Sequence, residues 1–102
     1  MPYHIHFVPD AEAHLKALTA AQRSLVWSSI EEQLVHQPTV PTRNRKLMEP
    51  NRLATWELRV RDLRVYYDVR EEAEEGAVVE VQAVGIKIRD RVRIGDQEYE
   101  LL

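Results

Sequence analysis

The chain has 102 residues, 44% hydrophobic and 30% charged, which describes one folded domain spanning 1–102 rather than a disordered tail. It has no cysteine, no apolar run near the roughly 20 residues of a membrane span, and an opening Met1-Pro2-Tyr3-His4 unlike a secretory leader. Disulfide scaffolds, thiolate metal sites and thiol catalysis are thereby excluded, and a cytoplasmic protein without membrane attachment is expected. The formal charge of −3 argues against a nucleic-acid binder only as a whole-chain average.

Tyr3, Ile5 and Phe7 alternate with His4 and His6, predicting a short N-terminal strand ended by Pro9-Asp10. Asp10 is a candidate N-cap for a helix with Ala11, Leu15 and Leu18 on one face. Thr19-Ala20-Ala21-Gln22 has capping-box spacing, so a second helix begins there. Val26, Ile30 and Leu34 form its buried stripe, with Trp27 at the edge. Pro38 and Pro41 close this helical hairpin, and a polar connection runs through Arg43, Asn44, Arg45 and Lys46.

Two alternating runs, 55–61 and 63–70, meet at Arg61-Asp62. A two-residue turn there sets Val60 opposite Leu63, Leu58 opposite Val65 and Trp56 opposite Tyr67, all apolar. The other face then carries Arg59 opposite Arg64, Glu57 opposite Tyr66 and Thr55 opposite Asp68. A slip of one residue destroys this match. After an acidic loop at Glu71–Gly76, Val79, Val81 and Ala83 alternate with Glu80 and Gln82 as a third strand. Ile94-Gly95-Asp96-Gln97 suggests a terminal hairpin with Tyr99 and Leu101 folding back. The fold class is therefore α+β: a short strand, a helical hairpin, and an antiparallel meander packed on the helices.

Charge is unevenly placed. Residues 1–42 hold two of the 14 Lys/Arg, whereas the stretch from Arg43 to Arg70 holds eight basic and four acidic side chains. Opposed guanidinium groups repel across strands, and they also match phosphate oxygens bidentately. The opposed pair is thus either a solvated, charged strand face or the beginning of a phosphate site. His4 and His6 share a strand face, with His14 or His36 as conceivable third ligands, but no carboxylate or cysteine spacing supports a metal site and none is assigned. No phosphate-binding loop, dinucleotide fingerprint or nucleophile elbow occurs.

The order of elements and the strings Trp56-Glu57-Leu58-Arg59, Leu63-Arg64-Val65-Tyr66-Tyr67-Asp68-Val69 and Val84-Gly85-Ile86-Lys87, preceded by the Arg43–Leu47 segment, resemble the RelE/ParE superfamily, the toxins of type II toxin–antitoxin systems. The resemblance covers nearly the whole chain. It implies a toxin silenced by a cognate antitoxin. In the RelE branch the toxin is a metal-independent, cofactor-free endoribonuclease that cleaves mRNA on the ribosome and so inhibits translation. Arg64 and Lys87 match that branch's cations. The branch's two strand lysines fall here at Thr55 and Glu57, and its C-terminal tyrosine has no motif-supported match. The expected catalytic set is Arg64, Lys87 and Glu57; Glu57 as base, with Lys46 or Arg45 supplying charge, is a substitution read from this chain and not a property of the family. RNA would be held by Arg43, Arg45, Lys46, Arg59, Arg61, Tyr66 and Arg89. The alternatives are a ParE-like inhibitor of DNA gyrase without catalysis, or a non-toxic binding protein of the same fold.

Overall fold

Thr19 starts the longer helix as its spacing predicts: its hydroxyl accepts from Gln22 N–H, and the Gln22 side chain accepts from Thr19 N–H. In the computed structural model, which describes residues 2–72 and 76–100, the chain order is β1 (His4–Phe7), α1 (Pro9–Lys16), α2 (Ala20–Gln33), β2 (Arg45–Leu47), β3 (Trp56–Val60), β4 (Leu63–Glu72), β5 (Gly76–Ile88), β6 (Arg91–Ile94) and β7 (Gln97–Tyr99). The first helix begins two residues earlier than an Asp10 cap would allow. Val8 is its N-cap, Pro9 occupies the first turn where the missing N–H costs nothing, and Asp10 lies inside it. Within the expected acidic loop, Glu71 and Glu72 belong to β4; 73–75, like Leu101, lie outside the described residues.

Among the described residues the sheet runs β2-β3-β4-β5-β6-β7, antiparallel at every step, and β1 adds in parallel to β5. The β3–β4 register is the one the apolar alternation demands, from Trp56↔Tyr67 to Val60↔Leu63. It stops one pair short of Thr55 and Asp68, where the Asp68 carboxylate instead accepts from Thr55 N–H at 2.8 Å. The Arg43–Lys46 connection is not wholly a loop, because β2 pairs Arg45–Leu47 with β3.

Helices cover one face, called inner here. Ala11, Leu15, Leu18, Val26, Ile30 and Leu34 meet Trp56, Leu58, Val60, Leu63, Val65, Tyr67, Val79, Val81 and Val84. Trp56 and Tyr67 stack with centroids 6.2 Å apart, and the Tyr67 hydroxyl donates to the buried Pro38 carbonyl at 2.6 Å. Trp27 stands at the edge of the core, 41% exposed and tilted against Phe7.

One expectation for β5 is overturned. Its register shifts between Tyr66↔Ala83 and Tyr67↔Val81, leaving Gln82 as the extra residue of a bulge. Ala83 consequently turns to the outer face with Tyr66, while Val84 takes the inner position. The sequence carries this phase change, since Val79, Val81, Val84 and Ile86 keep an inward pattern only if one residue is skipped.

Candidate functional site

Directly opposed residues of an antiparallel ladder share a face, so the registers define the outer surface row by row. One row reads Lys46, Glu57, Tyr66, Ala83 across β2, β3, β4 and β5; the next reads Arg59, Arg64, Gly85. Lys87 follows in the third row, paired with Val92 and donating its backbone N–H to Asp62 O. Neighbouring strands lie about 5 Å apart and alternate residues roughly 7 Å apart. Glu57, Arg59 and Arg64 are therefore near neighbours on one face beside the β3–β4 turn, with Lys46 and Lys87 at opposite corners of that face, roughly 20 Å apart.

Two opposed arginines coexist there because each is turned to a different partner. Arg59 Nε donates to Glu57 Oε1 at 2.8 Å. Arg64 bends toward the turn, and its Nη1 donates to Arg61 O at 2.7 Å and Leu63 O at 2.8 Å. The other Arg64 donors have no protein acceptor among the described residues, although only 7% of the residue is exposed. A recessed guanidinium with open donors can donate to an oxyanion that reaches it.

Glu57 is buried too, at 5% exposure. Beside it the Tyr66 ring is wholly enclosed, and its hydroxyl faces the carboxylate without a well-formed hydrogen bond. Burial, and then the Glu57 charge, raise the Tyr66 phenol far above its usual range, so it keeps its proton. This corrects the expected role of Tyr66: no nucleobase can stack on a ring covered by Ala54, Ala83, Val92 and Ile94.

Arg45 also leaves the RNA-contact set. It faces inward opposite Leu58, where Nε donates to Val40 O at 2.8 Å and Nη1 donates to the carbonyl and side-chain oxygens of Gln33. Its charge ties the end of α2 to β2 rather than meeting solvent. Arg43, Lys46, Arg61 and Arg89 are exposed. Arg61 and Arg89 open the β3–β4 and β5–β6 turns with φ of 57° and 61°. Leu63 pairs with Ile86, so both turns lie at the same end of the sheet, next to Arg64 and Lys87.

The outer face has a roof that sequence reading missed. Met48 and Leu53, from the β2–β3 connection, and Val92 and Ile94, from β6, close over Tyr66 and Ala83. Asn51 shapes the connection: its Oδ1 accepts from Leu53 and Ala54 N–H, and its Nδ2 donates to Glu49 and Ala54 O. Gly85 lets β6 approach, since a Cβ there would meet Arg93 O at 2.8 Å and Val92 Cγ1 at 2.7 Å. The alternating small residues Ala83 and Gly85 were the available signal. His14 plugs the gap on β5 between its β1 and β6 partners, its Nδ1 accepting from Val84 N–H at 3.3 Å.

No three His, Asp or Glu side chains converge as metal ligands among the described residues, and none of the described helices is long and apolar enough to cross a membrane. Comparisons of the chain with protein-family models, with curated proteins and with solved structures find no match.

Proposed function

We propose that this chain is a toxin of the RelE/ParE kind that cleaves mRNA on the ribosome without a metal ion or cofactor and is held silent by a cognate antitoxin. The observation that carries the reading is the recessed Arg64, with donors open, flanked on one face by Lys87, Arg59 and Lys46 and by the buried acid Glu57. Cleavage by the RNA's own 2′-hydroxyl needs a base for that proton and cations for the phosphoryl oxygens. Glu57 serves as the base, Arg64 and Lys87 neutralise charge as it grows on the phosphoryl oxygens, and the 5′-oxygen departs as the 2′,3′-cyclic phosphate forms, taking its proton from water. Arg43, Arg61 and Arg89 steer the strand toward the patch from the sheet's rim.

The Glu57–Arg59 ion pair favours a second reading, in which the face grips its target without cutting it, as ParE-like toxins grip DNA gyrase. Inducible expression in bacteria, with mRNA ends mapped on translating ribosomes, separates the two. Cuts at a fixed codon position support the nuclease. Growth arrest with DNA damage and intact mRNA supports the gyrase inhibitor, and unimpaired growth rejects both.

A further inference from the structure

We propose that Arg59 is an exchangeable cover on Glu57, drawn off when a phosphodiester takes its guanidinium, so that the strand which binds this face also uncovers the acid. The proposal rests on the preceding reading that the face contacts RNA phosphates.

The two partners are unequally placed. The Glu57 side chain is 6% exposed and the Arg59 side chain 44% exposed, and they meet through Arg59 Nε alone. The outer edge of the Arg59 fork has no other partner among the described residues, and this is the edge that phosphate oxygens accept from bidentately. Half-exposed ion pairs are weak because water screens them, so a phosphate with two matched oxygens competes well for the fork. Lifting Arg59 does not strand Glu57. Lys46 lies directly across from it on β2, and the protonated Tyr66 hydroxyl beneath it lacks a well-formed bond of its own. The phenol can then donate to the carboxylate and hold it in place. Arg64 makes no bond to Glu57 among the described residues, its Nη1 donating to the turn carbonyls instead.

A double-mutant cycle tests this with an uncleavable single strand, an all-2′-O-methyl oligonucleotide, and four proteins: wild type, E57Q, R59A and E57Q/R59A. With Arg59 present, E57Q should tighten binding on the order of 3- to 10-fold, since the cover no longer has to leave an acid; in the R59A background it should change binding by less than about 2-fold. Equal tightening in both backgrounds overturns the proposal, because Glu57 would then act only as a nearby negative charge. No change in either background overturns it as well. If none of the four proteins binds the strand, the RNA-face reading fails and the cover with it; intact binding without coupling removes the cover alone. Should a variant fail to fold, the Arg59 Nε–H resonance of wild type gives the answer. It should move in proportion to bound oligonucleotide, and an unmoved resonance at saturation overturns the proposal.

Discussion

Gly85→Ala adds one methyl group where the roof of the outer face meets the sheet. The new Cβ would lie 2.7 Å from Val92 Cγ1, 2.8 Å from Ile94 Cγ1 and 2.8 Å from Arg93 O. The two side-chain tips can rotate away. The carbonyl belongs to the β6 backbone, so relieving that contact means moving the strand. Alanine is otherwise at ease at this position, whose φ lies outside the left-handed region, and it gains about 0.5–1 kcal/mol over glycine from reduced chain freedom in the unfolded state. Overpacking of a tight site costs about 1–3 kcal/mol, and a backbone contact belongs at or beyond the top of that range. The net loss is about 2 kcal/mol, which lowers the melting temperature by roughly 8–16 °C in a domain of this size. Circular dichroism melts read the global loss, and amide exchange at Val92 and Ile94 reads the displacement of β6. A melting point within about 2 °C of wild type, with β6 exchange unaltered, would refute the claim that β6 seals this face.

Tyr67→Phe leaves the buried Pro38 carbonyl without its donor and should cost about 1–2 kcal/mol in denaturant unfolding. Arg45→Met should lower stability by a similar or larger amount, about 2–3 kcal/mol, through lost bonds to Val40 and Gln33, while leaving oligonucleotide affinity within about 2-fold. Burial holds the His14 imidazole below its usual 6.5, with Asp10 partly opposing. Its stabilising effect is therefore complete above about pH 6.5 and declines as pH falls below that value, where the unfolded chain takes up a proton that folded His14 resists. His14→Gln should flatten this decline in melting temperatures measured from about pH 8 to about pH 5. Arg61→Gly, which relieves a left-handed backbone, should raise stability by about 1 kcal/mol and weaken oligonucleotide binding, with a salt dependence shallower by roughly 0.7 in the log–log slope.

The sequence was most legible where period and face coincide. The β3–β4 register follows from three apolar pairs, and the α2 start from a capping box, because both are local patterns with one physical solution. The α1 cap is Val8 rather than Asp10, because Asp10 and Pro9 compete for the same first turn and proline at the first helical position sets the boundary. Charges were harder. Arg45 and Arg59 look alike in sequence, yet one residue of β2 parity sends Arg45 inward to Gln33, while Arg59 stays outside on Glu57. Tyr66 was expected to be open because alternation alone cannot reveal that β6 folds back over the outer face. That information lies in Ala83 and Gly85, two small residues whose meaning depends on a bulge at Gln82.

The roof and the turns together limit how anything reaches Glu57. Above Tyr66 the way is shut by Ala54, Val92 and Ile94, and from the inner side by the helices. What stays open is the side of β2 and β3 where Lys46 and Arg59 are exposed, continuing to the sheet end that carries Arg61, Lys87 and Arg89. At both of the turns there, arginine occupies a positive-φ position that glycine would fill without strain. Each such choice costs on the order of 1 kcal/mol. Structure alone gives no return on it, since both side chains are exposed. A guanidinium held at each of two adjoining turns makes sense as a property of the surface: it extends the positive path from the rim to Arg64. If the proposed RNA reading holds, a strand entering from the turn end would meet Arg59 before Glu57, and the positive-φ arginines at the rim would lie on its path.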